Sequence, residues 1–188
     1  LYFVKYIADT LNSINHQAKL AVLLPVACAI GTSGEITRLK REIFEENTLD
    51  AVFTLPNEIF YPGASASACC MVFKIGTKHN DVSNPDTFFG YCKDDGFKKK
   101  KNLGRVEQID TDTGKSKWVE IEREWIELYR NRRSVDGLSA THKVNGDDEW
   151  LCEAYMKTDY TKLTEQDFQQ TINDYLAYLV KEGYVYES

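Results

Sequence analysis

The sequence predicts a mixed α/β fold in which a parallel β-α-β unit is joined by an antiparallel return strand and followed by a mainly helical tail. Two nearly continuous apolar runs, residues 19–25 and 49–55, are typical of buried strands in a parallel sheet. The whole unit of about 37 residues has the size of a right-handed crossover. A third apolar run, residues 66–75, follows after only about ten residues, which is short for a parallel connection. We therefore expect this strand to run antiparallel.

Two amphipathic helices are predicted in the first half of the chain, because apolar residues recur at spacings of three and four. The first stripe consists of Phe3, Ile7, Leu11 and Ile14. The second consists of Ile36, Leu39, Ile43 and Phe44, and it lies inside the crossover. The turn at residues 31–34 lacks the Gly-Lys-Ser/Thr ending of a phosphate-binding loop, so we interpret it as the entry to the second helix.

The second half of the chain is more polar. Residues 87–91 predict a further strand, while residues 98–104 and 111–115 have the composition of a loop and a turn. A third helix is predicted to end near Asn131, and residues 132–148 show no clear period. The apolar stripe of that helix consists of Ile121, Trp125, Leu128 and Tyr129.

A terminal amphipathic helix is predicted near the end of the chain. Thr164 is its N-cap, Asp167 occupies the third helical position, and Gly183 lies near its end. Its apolar stripe consists of Phe168, Ile172, Tyr175, Leu176 and Leu179. Residues 147–188 hold ten acidic residues against three lysines, so this segment carries most of the negative charge.

Charge and composition exclude several classes of protein. The net charge of −6 argues against a free-standing nucleic-acid-binding domain, which is usually basic. The longest apolar run has 11 residues, and a membrane span needs about 20, so none is predicted. Five cysteines without a C-x-x-C pair favour a reduced, cytoplasmic compartment. The chain opens without Met or a signal-peptide pattern, and we interpret it as a piece of a longer protein.

Metal and nucleophile chemistry is not indicated. His16, His79 and His142 are far apart in the sequence and lack neighbouring ligands at metal spacing, so we predict solvated or capping histidines and no metal site. No G-x-S-x-G turn is present, and no catalytic residue is predicted.

The segment 55–63 is the most informative loop, because it leaves the carboxyl end of the second strand, where open α/β sheets bind ligands. It combines Phe60, Tyr61, two prolines and Gly63. A stiff loop of this kind could present an aromatic ring for stacking or could act as an apolar plug over the end of the sheet. Composition alone favours neither.

One dense basic cluster follows the predicted fourth strand. It consists of Lys98, Lys99, Lys100, Lys101 and Arg105. The cluster predicts either a solvated loop or a contact with phosphates, which would add salt-dependent affinity without sequence selection.

The order of these segments resembles a known family. The matching stretches are F-V-K-Y at 3–6, A-V-L-L-P at 21–25, G-E-I at 34–36, R-E-I-F-E-E-N at 41–47, L-D-A-V-F at 49–53, L-P at 55–56, F-Y-P-G at 60–63 and M-V-F-K at 71–74. Together they resemble the later half of the catalytic domain of adenine-specific DNA methylases, the M subunits of type I restriction-modification systems. The resemblance covers residues 1–76, and a weaker resemblance extends through residues 88–105.

The resemblance implies part of a Rossmann-like methyltransferase sheet over residues 1–110 and a mostly helical extension over 111–188. It also implies transfer of methyl from S-adenosylmethionine to adenine in DNA, with specificity and restriction subunits as partners. Phe60, Tyr61 and Gly63 would border the pocket for the target base. Lys98, Lys99, Lys100, Lys101 and Arg105 are our candidates for phosphate contacts.

Two motifs of the family lie upstream of the matched region. They are a glycine-rich turn for S-adenosylmethionine and an Asn/Asp-Pro-Pro-Tyr/Phe loop for the adenine amine. The chain contains no G-x-G and no adjacent prolines. We therefore expect it to bind no cofactor and to be inactive alone.

An alternative is a docking module whose acidic terminal helix binds a partner subunit. The apolar stripe of that helix would then face the partner, although packing in the chain's own core is the more common outcome. A partial sheet also leaves an open strand edge, so self-association is expected.

Overall fold

A five-stranded mixed sheet forms the centre of the unit Leu1–Lys157. The computed structural model describes residues 1–14, 17–64, 66–80 and 83–182. Its strands are β1 (Ala18–Pro25), β2 (Thr48–Thr54), β3 (Ala68–Ile75), β4 (Thr87–Tyr91) and β7 (Ser139–His142), and β5 (Phe97–Lys100) pairs with β6 (Gly104–Glu107) in a separate hairpin. The helices are α1 (Tyr2–Ser13), α2 (Ala27–Ile30), α3 (Gly34–Glu46), α4 (Lys117–Arg130) and α5 (Glu165–Lys181).

The strand order is β1-β3-β2-β4-β7. β1 and β2 point the same way, because each pairs antiparallel with β3, which lies between them. The antiparallel return strand is therefore confirmed, and it separates the two parallel strands of the predicted crossover. β4 adds parallel to β2, and β7 adds antiparallel to β4. Among the described residues β1 pairs with β3 alone, so its outer edge is open.

The main core lies on the face of the sheet that α1 and α3 cover. Ile43 and Phe44 of α3 pack there against Met71 and Phe73 of β3, and the fully buried Trp150 completes the cluster. α4 covers the opposite face around β2 and β4, where Ala51, Phe88 and Leu128 are buried. The mixed α/β fold is thus a sheet between helical layers.

A buried carboxylate joins α4 to the sheet at the irregular register between Leu49 and Ala51. Asp50 accepts hydrogen bonds from the Tyr129 hydroxyl and from the Arg132 guanidinium, and it lies 2.8 Å from Lys74 Nζ. Burial alone would raise the pKa of Asp50, but these hydrogen bonds outweigh it and hold the pKa below its usual range. This group is called the Asp50 cluster below.

The first predicted helix is confirmed as α1, and Leu11 of its predicted stripe packs against the core, but the two ends of that stripe do not. Val4 and Ala8 are buried, whereas Phe3 and Ile14 are 69% and 67% exposed. Successive residues on a helix are separated by about 100°, so a shift of one position turns Phe3 toward solvent. Because apolar residues occur on both sides of this helix, spacing alone did not identify the side that packs against α3 and β3.

Burial of β1 on both faces is also wrong. Its residues alternate between half-buried and exposed, and Leu23 is 54% exposed. The reason is tertiary: α4 covers the second face of the sheet around β2 and β4, leaving the edge strand bare on that side.

The loop predicted over residues 98–104 is a hairpin instead. Its turn uses a left-handed backbone at Asn102 (φ 64°) and Gly104 (φ 78°). Because β5 consists mostly of exposed lysines, it lacks the apolar alternation by which strands are recognised. β7 likewise lies in the segment without a clear period. The predicted strand 87–91, the turn near Gly114 and α4 are confirmed.

The unit Thr158–Ser188 contains α5. Its capping box is confirmed, since the Asp167 amide donates to Thr164 Oγ1 and the Thr164 amide donates to Asp167 Oδ2 at 2.7 Å. Phe168, Ile172 and Tyr175 are exposed in this unit, and a core-facing role for this stripe stays a prediction. Gly183 and His16 lie outside the described residues. The domain boundary after residue 110 stays a prediction.

Candidate nucleic-acid interface

The loop after β2 lies at the carboxyl edge of two parallel strands. β2 and β4 run side by side, and the Cys92 amide donates to the Thr54 carbonyl at 2.9 Å. The segments that follow both strands therefore meet at one edge of the sheet, where open α/β folds place ligands. This confirms the sequence-based placement of the loop at the carboxyl end of the second strand.

Short backbone bonds fold residues 56–63 into consecutive turns. The Ile59 amide donates to Pro56 O at 3.1 Å, the Tyr61 amide to Glu58 O at 2.9 Å, and the Gly63 amide to Phe60 O at 2.8 Å. These turns hold the Phe60 side chain outward, and the residue is 40% exposed. Tyr61 is half-buried.

The basic hairpin packs beside this loop. Lys99 Nζ lies 4.4 Å from the centroid of the Tyr61 ring and 3.2 Å from Glu58 Oε1. Lys98, Lys100 and Lys101 are exposed and have no ion-pair partner among the described residues. The structure thus brings together two groups that are about 40 residues apart in the sequence.

Arg105 differs from the lysines of the same cluster. Its guanidinium pairs with Asp95 Oδ1 at 2.6 Å and lies 5.5 Å from the Phe97 ring centroid. Both side chains of the ion pair are largely buried, at 14% and 10% exposure. Arg105 therefore holds the base of the hairpin in this structure, and a phosphate contact by it stays a prediction.

A cleft of about 450 Å³ opens at the same edge, and we call it the carboxyl-edge cleft. Besides the Arg105–Asp95 pair, its lining includes Asn57, Glu58, Tyr91, Lys93, Phe97 and Glu153. Sequence reasoning missed Tyr91, Lys93 and Glu153, because they come from segments that only the fold brings together. Burial and the nearby Glu153 carboxylate raise the pKa of Tyr91, so its hydroxyl stays protonated.

His79 is half-buried, and both of its ring nitrogens have a partner in the chain, so it is not a fully solvated histidine. It stacks on Phe44 at 3.7 Å, its Nδ1 accepts from the Leu49 amide at 3.3 Å, and its Nε2 lies 2.9 Å from Val144 O. Burial lowers the pKa of His79. His142 stacks on Tyr155 at 4.5 Å.

The thiol and acidic side chains of the described residues do not gather into a metal site. No group of three or more His, Cys, Asp or Glu side chains in that part of the chain could hold a metal ion. All five cysteines are free thiols, and burial raises the pKa of Cys69 and Cys152 to about 12. In the same residues, no helix has the length and apolar character of a membrane span.

Comparison with known proteins points in one direction. The family model described as N-6 DNA Methylase matches residues 2–182. A type II restriction enzyme and methyltransferase from Heyndrickxia coagulans, RM.BcgI, is 27% identical over 191 residues. That alignment takes in 98% of this chain and 28% of the relative, so the chain spans little more than a quarter of its length.

A solved structure is similar in fold. It is the methyltransferase subunit of a type I restriction-modification system from Streptococcus thermophilus, which matches 74% of this chain with a TM-score of 0.52 and 20% identity. The match covers 26% of that subunit. The resemblance and the α/β fold expected from the sequence are confirmed. Since the family model spans nearly the whole sequence, the chain belongs to the N-6 DNA methylase family.

Proposed function

We propose that this chain is the later part of the catalytic domain of an adenine-specific DNA methyltransferase, an M subunit of a type I restriction-modification system. The complete protein would transfer methyl from S-adenosylmethionine to the exocyclic amine of adenine. One observation carries the proposal: in a chain of this family, Phe60 projects from a tightly turned loop at the carboxyl edge, beside a lysine-rich hairpin.

The chemistry requires the adenine to leave the helical stack, because its amine is inaccessible inside a duplex. An aromatic ring that stacks on the extruded base contributes about 1–3 kcal/mol. Phe60 is suited to this task because its ring is exposed. The Tyr61 ring is instead in contact with the Lys99 ammonium group, so it is less available for stacking. Gly63 closes the turn through its bond to Phe60 O.

Phosphate contacts would come from the hairpin. Lys98, Lys100 and Lys101 project into solvent near Phe60's loop, where their charges could neutralise the DNA backbone. Such contacts would set the orientation of the DNA and not its sequence, which a separate specificity subunit would read.

S-adenosylmethionine would be bound by other parts of a longer protein. The turn from β1 toward α3 contains Gly31, but a Cβ there would lie 2.4 Å from Ile36 Cδ1. The space beside Gly31 is therefore filled by a side chain and is not a cradle for a nucleotide. We expect this chain alone to bind no cofactor and to transfer no methyl group.

The test uses the full-length product of the coding sequence together with its specificity subunit and measures methyl transfer from labelled S-adenosylmethionine to adenine-containing DNA. Phe60→Ala should lower kcat/KM about 10- to 100-fold, as expected for a lost stacking contact. Phe3→Ala, which removes another exposed phenylalanine, should leave kcat/KM unchanged. Unchanged activity of Phe60→Ala would remove Phe60 from the site, and an inactive wild-type protein would refute the proposed function.

A docking role for α5 is a second candidate, favoured by the exposure of its apolar stripe. Phe168, Ile172 and Tyr175 are each more than half exposed, and Asp167 and Asp174 lie away from this stripe. Its partner would be a specificity or restriction subunit of the complex. The open edge of β1 offers a second surface, through which we propose self-association.

Charge insertion tests the docking role. Ile172→Asp should abolish co-purification with the partner subunits, because it places a carboxylate in the apolar stripe. Gln166→Asp adds the same charge at an exposed position on the opposite side of α5 and should have no effect. Equal recovery of the complex with both variants would exclude α5 as a docking helix.

A further inference from the structure

The carboxyl-edge cleft is assembled from four separate segments of the chain. Asn57 and Glu58 follow β2, Tyr91 ends β4 and Lys93 follows it, the hairpin contributes Phe97, and Glu153 comes from the 3-10 helix Cys152–Ala154. Its volume of about 450 Å³ lies within the range of small-ligand sites. The cleft shares Glu58 with the loop that carries Phe60, so any ligand in it would be a neighbour of the proposed target base.

The charges of the cleft disfavour an anion. Lys93 and Arg105 face three carboxylates, those of Glu58, Asp95 and Glu153. Arg105 is already paired with Asp95. Glu58 is paired with Lys99, and Lys93 lies 3.9 Å from Glu153, so each of these cations already faces a carboxylate. A phosphate would find no free cation among the residues that line the cleft, whereas a neutral polar ligand needs none.

The hydrogen-bonding groups of the cleft favour a ligand with both a donor and an acceptor edge. Lys93 Nζ donates to Asn57 Oδ1 at 3.0 Å and lies 3.9 Å from Glu153 Oε1. Glu153 Oε2 accepts from Thr54 Oγ1 at 2.7 Å. These contacts fix a carboxylate acceptor beside an ammonium donor at the same edge of the sheet.

Two aromatic side chains, Tyr91 and Phe97, line the cleft as well. Rings beside an acceptor and a donor suit a planar heterocycle with an amino group and a ring nitrogen, as in adenine or cytosine. We infer that the carboxyl-edge cleft binds one heterocyclic base, that of a nucleotide adjacent to the flipped adenine. The inference rests on the proposed function for the identity of its DNA source.

A DNA-binding titration, which does not depend on methyl transfer, tests whether the base in the cleft comes from DNA. The full-length protein is titrated with duplexes in which each nucleotide flanking the target adenine is replaced in turn by an abasic site. One abasic position should weaken binding to the wild-type protein about tenfold, and this penalty should disappear in Glu153→Gln and Phe97→Leu. Glu153→Gln keeps an acceptor for Thr54, so the fold should be retained, and thermal unfolding checks this.

Lys98→Ala is the matched control, since it removes a hairpin charge outside the lining of the cleft. It should weaken binding to every duplex alike and preserve the abasic penalty. An abasic penalty that is the same in the wild type and in both cleft variants would overturn the inference. Absence of binding to any duplex would refute the proposed function instead.

Equilibrium dialysis separates the base from other ligands. Deoxyadenosine should bind the wild-type protein at a site whose affinity falls about tenfold in Glu153→Gln, a factor equal to about 1.4 kcal/mol. If deoxyadenosine binds but no abasic duplex binds more weakly, the cleft takes a free nucleoside. That result would overturn the inference that the base comes from DNA. If the protein binds inorganic phosphate with an affinity that Glu153→Gln alters, the cleft is a phosphate site, and the inference that it binds a heterocyclic base is overturned.

Discussion

Charged side chains are buried near one end of β2 and exposed beyond the other. Near its amino end, the Asp50 carboxylate is 1% exposed and is surrounded by cationic and hydroxyl donors from β3, from α4 and from the turn after α4. Beyond its carboxyl end, the Lys99–Glu58 pair is about half exposed and lies on a loop and a hairpin. A buried network with its hydrogen bonds made fixes one arrangement of the chain, whereas exposed charges leave groups available for a ligand. Stability should therefore depend on the first region, and the DNA contacts that we propose would come from the second.

The largest effect is expected at the Asp50 cluster. Asp50→Asn removes the buried charge that compensates Lys74 and Arg132, so the free energy of unfolding should fall by about 3–5 kcal/mol. Urea denaturation measures the change. Asp147→Asn is the control, because its pair with Arg41 is more than half exposed and should contribute at most about 1 kcal/mol. Similar losses for both variants would break the comparison between buried and exposed charge.

An intermediate effect on stability is expected when the pH is lowered, because His79 becomes protonated. The pKa of this histidine is lowered in the folded state, so the unfolded chain takes up the proton first, from about pH 6.5 downward. The stability that neutral His79 contributes is fully present above that pH and is lost as the pH falls toward the folded pKa.

Urea midpoints between pH 5 and 7.5 measure this dependence for the wild type and for His79→Gln. The variant should show the shallower decline, because its amide does not titrate in this range. Parallel curves would mean that His79 does not contribute to the acid sensitivity.

The smallest effect is expected at Lys99. Lys99→Met removes the ammonium group over the Tyr61 ring while keeping an apolar stem, so the loop should open more often. Backbone amide hydrogen exchange over residues 57–63 should be about two- to fivefold faster, matching about 0.5–1 kcal/mol. Lys101→Met should leave exchange in this loop unchanged, and an equal increase in both variants would mean that the cation over Tyr61 does not order it.

Local patterns predicted the elements well where they reflect burial. The apolar run of β2 and the stripe of Leu39, Ile43 and Phe44 in α3 are confirmed, because residues inside a core must be apolar at the period of their element. The hairpin of β5 and β6 was missed, since two strands without a buried face show no such period.

The candidate site was predicted only in part. The loop with Phe60 was placed correctly because it follows a strand whose end marks the ligand edge of the sheet. The contact of Lys99 with Tyr61, and the inclusion of Glu153 in the cleft, join residues far apart in the chain. No local pattern encodes such contacts.

By itself, the sequence determined the four longer helices, the strands β1 to β4, the direction of the return strand and the family, since these depend on local periodicity and on motifs along the chain. Tertiary structure alone decided that β3 lies between the two parallel strands, that Val4 and not Phe3 faces the core, and that Arg105 pairs with Asp95. Each of these outcomes depends on which surfaces meet. That choice is made by packing and by the pairing of charges across distant segments, after the local structure is formed.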